Sequence, residues 1–517
     1  MLLEERFAFL SLRQKHIHDM VNSITKPTHP FIWRYLPAAK KILILGEYVM
    51  KKSGLLLLLA GLLTAGNAFA QNSIYRYKTN NRNATESVDA AVYNPAGLVW
   101  LQDGFHVEIG NQFGFGTKEI YDGLTGITYE ATGGSAFDPT AIFIYKKDKW
   151  AGNFAFGASS ATGGKMENGS PMLTMGGYRV AMGMAAGVNQ ALTSPPIGLP
   201  GMLVDPFTQD LYGPDGGSLE EGALDLGFLA NVAYKVSNGL SFSVGAKYMY
   251  RADDFMRGNI MVATNAQAIA DFETSLLTDA GLSQEQVDAI IGGVPVVNGD
   301  VARVDASYED NNFWVFSVGA NIRPTEKFLI AQTLYFGPTY TAHLELNDLY
   351  LIDPALLPQL EELLGMKFED GAPDERKVVP LYKLGVAYHV TDKFRVEADL
   401  HVDFKHIAES NDLNEYAWGL GAEYQVSKKV NWGAGFKYQP IRRSQDDMSD
   451  TDFKNDMLWL ASGIDVKFTD RLTGVATVEL GLATSEYIFY MEDGTTILKS
   501  YKDNMNQSGT LGVVYRF

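Results

Sequence analysis

Three features of the 517-residue chain predict an all-β fold, a 14-stranded antiparallel transmembrane β-barrel. The first is strict alternation. From Phe394 to Lys405, the residues Phe394, Val396, Ala398, Leu400, Val402 and Phe404 fall on one face, and Arg395, Glu397, Asp399, His401, Asp403 and Lys405 on the other. Period two describes an extended strand, and one apolar face opposite one polar face suits a wall between lipid and water. The second is repetition: strands are expected near 104–115, 139–146, 150–158, 222–236, 240–251, 312–323, 327–346, 379–390, 394–406, 414–426, 430–440, 456–468, 472–487 and 508–517. The third is the parity of the connections. Every second one is a few residues long (147–149, 237–239, 324–326, 391–393, 427–429, 469–471), whereas the others are mostly long, reaching 159–221 and 252–311. Outer-membrane barrels have short periplasmic turns and long outer loops.

Taken from the N-terminus, residues 1–49 carry mixed charges, His16, His18 and His29, and no strand pattern. They are expected to be an upstream extension with translation starting at Met50; a long, unusual leader is the other reading. Residues 50–70 have the order of a secretory signal: Met50-Lys51-Lys52, an apolar run from Leu55 to Leu63, and Ala68-Phe69-Ala70 before Gln71. The run is too short to span a bilayer as a helix. Cleavage after Ala70 would remove 70 of 517 residues and leave 447. The implied destination is the outer membrane of a Gram-negative bacterium.

The formal charge is −18, and residues 1–70 contribute nine basic and four acidic side chains, so the remainder carries about −23. Such acidity argues against a nucleic-acid partner. The absence of cysteine removes disulfides, thiol catalysis and thiolate metal sites. No nucleotide or metal motif is visible, and no cofactor is expected.

Residues 71–103 precede the first strand and contain Ala90-Ala91-Val92-Tyr93-Asn94-Pro95-Ala96-Gly97-Leu98. Asn94-Pro95 is a turn former, because proline fixes its own φ and biases the preceding residue away from helix. A surface turn is one reading and a folded plug the other. A fourteen-stranded barrel would otherwise leave an aqueous lumen, since about eight strands are already filled by side chains. The segment resembles the Asn-Pro-Ala motif in the N-terminal hatch of the FadL/TodX family of outer-membrane hydrophobic-compound transporters. The resemblance covers 71–517 in architecture, but only Asn94, Pro95, Ala96, Gly97 and the terminal Phe517 closely in residues. It implies a barrel plugged by its hatch. The terminal aromatic is common to outer-membrane barrels, as a signal to the barrel-assembly machinery; a monomer surrounded by outer-membrane lipids is expected.

Two long loops carry helix signals. Asp353-Pro354 offers a cap and a first-turn proline ahead of Leu356, Leu360, Leu363 and Leu364, with a stop at Gly365. Pro358 interrupts that pattern. Ser283 and Gln286 form a capping-box pattern before Val287, Ile290 and Ile291, and Ile269, Phe272 and Leu276 mark another apolar stripe. These stripes could simply pack on one another. The resemblance implies that the loops after the fifth and seventh strands capture substrate, which makes Leu356, Leu360 and Leu364 capture candidates.

The third strand is interrupted by Gly152, Asn153 and Gly157, and glycine in a strand marks a bulge or a close approach. The resemblance implies a kink there that releases cargo sideways, with Gly152, Asn153 and Phe154 as candidates; a barrel-corner glycine is the plain alternative. Extending the 391–393 hairpin places Lys383 opposite His401 on the lumen face, with Arg395 lower and Lys405 higher, while Lys247 and Arg251 point inward from the fifth strand. The resemblance implies that basic lumenal residues hold a carboxylate. Glu397, Asp399 and Asp403 share that face, so lumenal ion pairing is the alternative for each.

A lipid hydrolase would need Ser, His and an orienting group to converge. Only His106, His343, His389, His401 and His406 lie beyond residue 70, none beside a nucleophile motif, and no catalytic residue is assigned. A general diffusion porin is disfavoured by the plug and the apolar loop helices. The resemblance thus implies passive uptake of hydrophobic molecules, with long-chain fatty acids or related lipids and hydrocarbons as the expected cargo.

Overall fold

The computed structural model describes residues 73–517, except 124–125, 167–168, 194–211, 279–281, 293, 295, 355–356, 359–360, 362–366, 409–413, 441–454 and 491–496. All five histidines beyond residue 70 are within the described part, whereas 1–72, Leu356, Leu360 and Leu364 lie outside it.

In chain order the strands are β1 (Gly104–Asp122), β2 (Ile127–Lys147), β3 (Trp150–Met166), β4 (Tyr212–Ser237), β5 (Leu240–Thr264), β6 (Asn298–Glu309) and β7 (Asn312–Thr325). Next come β8 (Phe328–Phe336), β9 (Thr339–Leu351), β10 (Pro373–Lys377), β11 (Leu381–Thr391), β12 (Phe394–Asp403) and β13 (Glu415–Gln425). The last are β14 (Val430–Gln439), β15 (Met457–Lys467), β16 (Leu472–Ala483), β17 (Tyr487–Tyr490), β18 (Ile497–Asp503) and β19 (Asn506–Arg516). Fourteen of them pair in the ring β1-β2-β3-β4-β5-β7-β8-β11-β12-β13-β14-β15-β16-β19, and β19 returns to β1 from His106↔Arg516 to Phe115↔Gln507. Closure leaves no open edge in the wall.

The register follows the alternation. Tyr234 faces Phe242, Leu384 faces Leu400, and Lys383 faces His401. Phe143, Trp150, Phe242, Trp314, Trp418 and Leu511 are exposed, while Asn231, Ser241, Asn321, Glu397 and Asp399 are buried. In water that arrangement would be inverted. It is stable where the exterior solvent is hydrocarbon and polar groups are satisfied inside. No described helix is long and apolar enough to cross a membrane.

Five strands lie beyond the ring. The alternation through 327–346 reads as one strand, but the chain turns at Gly337-Pro338: β8 continues the wall against β11, whereas β9 pairs with β6 and β10. A Cβ at Gly337 would lie 2.9 Å from Val378 side-chain atoms, so the turn needs that glycine. β17 and β18 extend the wall beside β1. Strand β12 also ends earlier than expected. Residues Lys405–Ala408 form a helical turn, and Lys405 Nζ binds Glu415 Oε1 at 2.6 Å instead of standing free in the lumen.

Above the long-loop end, helices Ala266–Thr278 and Gln284–Ile291 bury Phe272, Leu276 and Val287. Ser283 forms the expected capping box with Gln286. An unanticipated helix, Pro171–Thr193, joins the same apolar cluster through Leu173, Val180, Ala181, Ala185 and Val188.

Candidate functional site

The segment ahead of β1 sits inside the ring, built from short helical turns. Arg76–Thr79 and Ala90–Tyr93 are single turns, and Pro95–Trp100 is a 3-10 turn with the proline first. There, its fixed φ and missing N–H cost little. Asn94 is fully buried. Its Nδ2 donates to the Thr85 carbonyl at 2.8 Å, and its own carbonyl accepts from Gly97 N at 2.7 Å. Asn321 of β7, with its amide turned to match its neighbours, donates to Asn94 Oδ1 at 2.7 Å and accepts from Gly97 N at 3.2 Å. Ser241 of β5 donates to the Ala96 carbonyl at 2.7 Å. A Cβ at Gly97 would lie 2.6 Å from the Thr85 carbonyl oxygen. Asn94-Pro95-Ala96-Gly97 is therefore a buried turn seated on β5 and β7. Asn94→Ala should loosen the plug by about 1–3 kcal/mol, the cost of leaving such buried partners unsatisfied. Trypsin cleavage within 73–103 of the folded barrel should accelerate correspondingly; an unchanged rate would mean that the turn does not hold the plug.

The remainder of the hatch is anchored around the wall. Asn231 of β4 donates to the Ala91 carbonyl at 3.0 Å and Tyr335 of β8 to the Val92 carbonyl at 3.0 Å. Asp399 accepts from Asn83 N at 2.9 Å, Glu397 from Ala84 N at 2.6 Å, and Glu108 of β1 from Ile74 N at 2.9 Å. Lys78 binds Glu423 and Asp465, and Arg82 binds Asp89 and Glu423. One arc of the wall is lined by Gly385, Gly419, Gly421, Gly433 and Gly435, where a Cβ would strike hatch residues 78–84. Glycines here permit close backbone approach.

The five basic candidates separate by partner. Arg395 binds Glu397 at 2.6 Å, Glu423 at 3.3 Å and the Ala84 carbonyl at 2.7 Å, so it anchors the hatch. Arg251 is held by both oxygens of Asp225, at 2.5 and 2.8 Å. Lys247 is buried on the lumen face of β5, in electrostatic range of Asp225 and Lys383. Lys383 is buried, with Nζ 5.1 Å from the Tyr335 ring centre and 5.7 Å from that of Tyr93. Opposite it, His401 Nε2 is buried with no hydrogen-bond partner among the described residues. Toward the long-loop end the same wall turns apolar: Met249, Phe313, Val315, Tyr335 and Leu381 form one buried cluster. Those residues share the lumen parity of Lys247 and Lys383, a signal present in the sequence but obscured by the loop insertions between the strands.

Gly152, Asn153 and Phe154 are paired on both sides, to Tyr145, Ile144 and Phe143 of β2 and to Val232, Asn231 and Ala230 of β4. The β2–β3 ladder lapses higher up. After Thr140↔Gly157 the next pair is Thr132↔Lys165. Pro139 begins the gap on β2, where it has no N–H to offer, and Gly164 with φ +119° ends it on β3. Among the described residues no histidine hydrogen-bonds to a serine or threonine hydroxyl, the contact that a hydrolytic triad requires.

No protein-family model matches this chain, and no curated protein matches it. Among solved structures, the Pseudomonas putida toluene transporter TodX aligns at 13% identity with a TM-score of 0.53, over 86% of this chain and 99% of that one. A FadL homologue of Pseudomonas aeruginosa aligns at 13% identity and a TM-score of 0.54, over 86% and 98%. The TodX deltaS2S3 mutant, titled a monoaromatic hydrocarbon channel, gives 13% and 0.52 over 86% and 99%. Identity this low speaks for architecture, and the closed ring of fourteen strands is the architecture these proteins share: the chain is an outer-membrane-type β-barrel with the FadL/TodX fold.

Proposed function

We propose that this protein takes up hydrophobic molecules passively across the outer membrane, and that anionic amphiphiles such as long-chain fatty acids are among them. The observation that carries this reading is the lumenal wall above the hatch, where the apolar cluster of Met249, Phe313, Val315, Tyr335 and Leu381 adjoins Lys383 and His401. An acyl chain would lie on the cluster, each buried methylene contributing about 0.8 kcal/mol, and a carboxylate would meet the lysine. Solved proteins of the same fold are a toluene transporter and a monoaromatic hydrocarbon channel. Capture would begin at the apolar loop helices Ala266–Thr278 and Gln284–Ile291, together with Leu356, Leu360 and Leu364, which the sequence pattern nominates. A sideways exit to the bilayer would pass between β2 and β3, where the ladder lapses. Export through residues 50–70, assembly through the C-terminal strand and action as a monomer belong to the same reading.

The test is selective transport into liposomes by the full barrel. Labelled oleate or an alkylbenzene should enter while glucose and sucrose stay out. Sugar-driven swelling at the rate of an open channel would instead favour the diffusion porin.

A further inference from the structure

At the short-turn end, the connections after β11, β13 and β15 border a cavity of about 230 Å³. Its lining contains Lys393, Arg395, Lys428, Lys429 and Lys467, and the acids Asp392, Glu423 and Asp465. Two of those acids are already neutralised: Glu423 meets Lys78, Arg82 and Arg395, and Asp465 meets Lys78. The four lysines are exposed, and their ammonium groups have no hydrogen bond or ion pair among the described residues. Lys393, Lys429 and Lys467 continue the lumen-facing parity of Arg395, Asn431 and Asp465, which places them inside the mouth.

Lys467 N donates to the Lys429 carbonyl at 2.8 Å, so these two cations stand side by side where the β14–β15 ladder ends. Like charges facing across a ladder destabilise it. The turn does not need them, because it is held by Ser427 Oγ, which accepts from the backbone Lys429 N and Val430 N at 3.2 and 3.1 Å. Two neighbouring exposed ammonium groups that the hairpin does not use leave room for an anion shared between them.

We propose that this cavity is an anion-binding site, taking the carboxylate or phosphate group of an amphiphile, or a free anion of the same chemistry, at the mouth of the barrel. As an exit station for charged cargo it rests on the transport reading. As a binding site it stands apart from Lys383.

The test titrates the full chain, in an uncharged detergent, with dodecyl phosphate and with inorganic pyrophosphate, counting bound ligand by native mass spectrometry. Lys393→Gln, Lys429→Gln and Lys467→Gln together should weaken dodecyl phosphate binding at the mouth at least tenfold. Lys367→Gln, Lys377→Gln and Lys502→Gln, which neutralise three exposed lysines of the long-loop end, should leave it unchanged. Lys383→Ala should remove the lumenal dodecyl phosphate and the mouth triple the other, so failure of the lumenal reading would be seen separately. Displacement by pyrophosphate would show that a free anion suffices, and binding of dodecyl phosphate alone would show that the acyl chain is required. A second variant, Lys429→Glu, should lose binding while raising thermal stability, because it replaces repulsion of Lys467 by attraction. Equal binding by the mouth and loop-end triples, or no saturable binding of either probe to the native chain, overturns the proposal.

Discussion

Removal of residues 71–102 is expected to leave a folded, inserted barrel that conducts small solutes continuously. The wall is closed by ladder hydrogen bonds from β1 to β19, and none of those bonds uses the hatch. Its lipid-facing belt, with Trp150, Phe242, Trp314 and Trp418, is likewise independent of the plug. The hatch contributes the partners of lumenal Glu108, Glu397, Asp399, Glu423 and Asp465. With the hatch gone, water enters and solvates those acids, which removes the penalty that unpaired buried charge would carry. Planar-bilayer recording should therefore pass from a closed baseline to steady conductance, with sugars permeating. Gly435→Leu offers an independent route to the same state, since its side chain would occupy the place of the Thr79 carbonyl. Baseline conductance in the deletion would mean that something other than the hatch closes the lumen.

The ring was legible because lipid outside and water inside impose period two with little tolerance: a slip of one residue would expose Asp399 to hydrocarbon. All fourteen predicted wall strands have counterparts, with ends displaced. The strands and helices above the membrane were less legible. In β6, Val301, Ala302, Val304 and Ala306 are all buried, so alternation breaks at the first two and the stretch reads as a loop. Helix Pro171–Thr193 carries a single charged residue, Arg179, and several glycines, which hides an amphipathic pattern. At the site, parity showed which cations face the lumen but not which of them are neutralised. Arg251 meets Asp225 from the neighbouring strand, and Arg395 meets the hatch more than 300 positions away in sequence. Such partners depend on tertiary distance, which no local pattern records.

Lys383→Ala should separate charged from neutral cargo. If a carboxylate sits at Lys383, its loss removes a charge-assisted hydrogen bond worth about 1.5–3 kcal/mol, roughly a ten- to hundredfold weakening of fatty-acid binding. A neutral hydrocarbon of equal length uses only the apolar wall formed by Met249, Phe313, Val315 and Leu381, and its affinity should be retained. Lys383 also lies over the Tyr93 ring of the hatch, so truncation could act by loosening the plug. Two measurements separate these effects. Lys383→Met keeps much of the aliphatic stem over Tyr93 and Tyr335 but has no charge, so it should reproduce the selective loss without a rise in conductance. His401→Ala tests the opposite wall, where Nε2 is buried without a hydrogen-bond partner among the described residues and, in the neutral Nε2–H tautomer, could donate to the same headgroup. Calorimetric titration of each variant with laurate and with dodecane's soluble analogue dodecanol would show the difference directly. Equal weakening for both ligands would indicate general repacking, and no weakening for either, with native expression, would exclude Lys383 from the site.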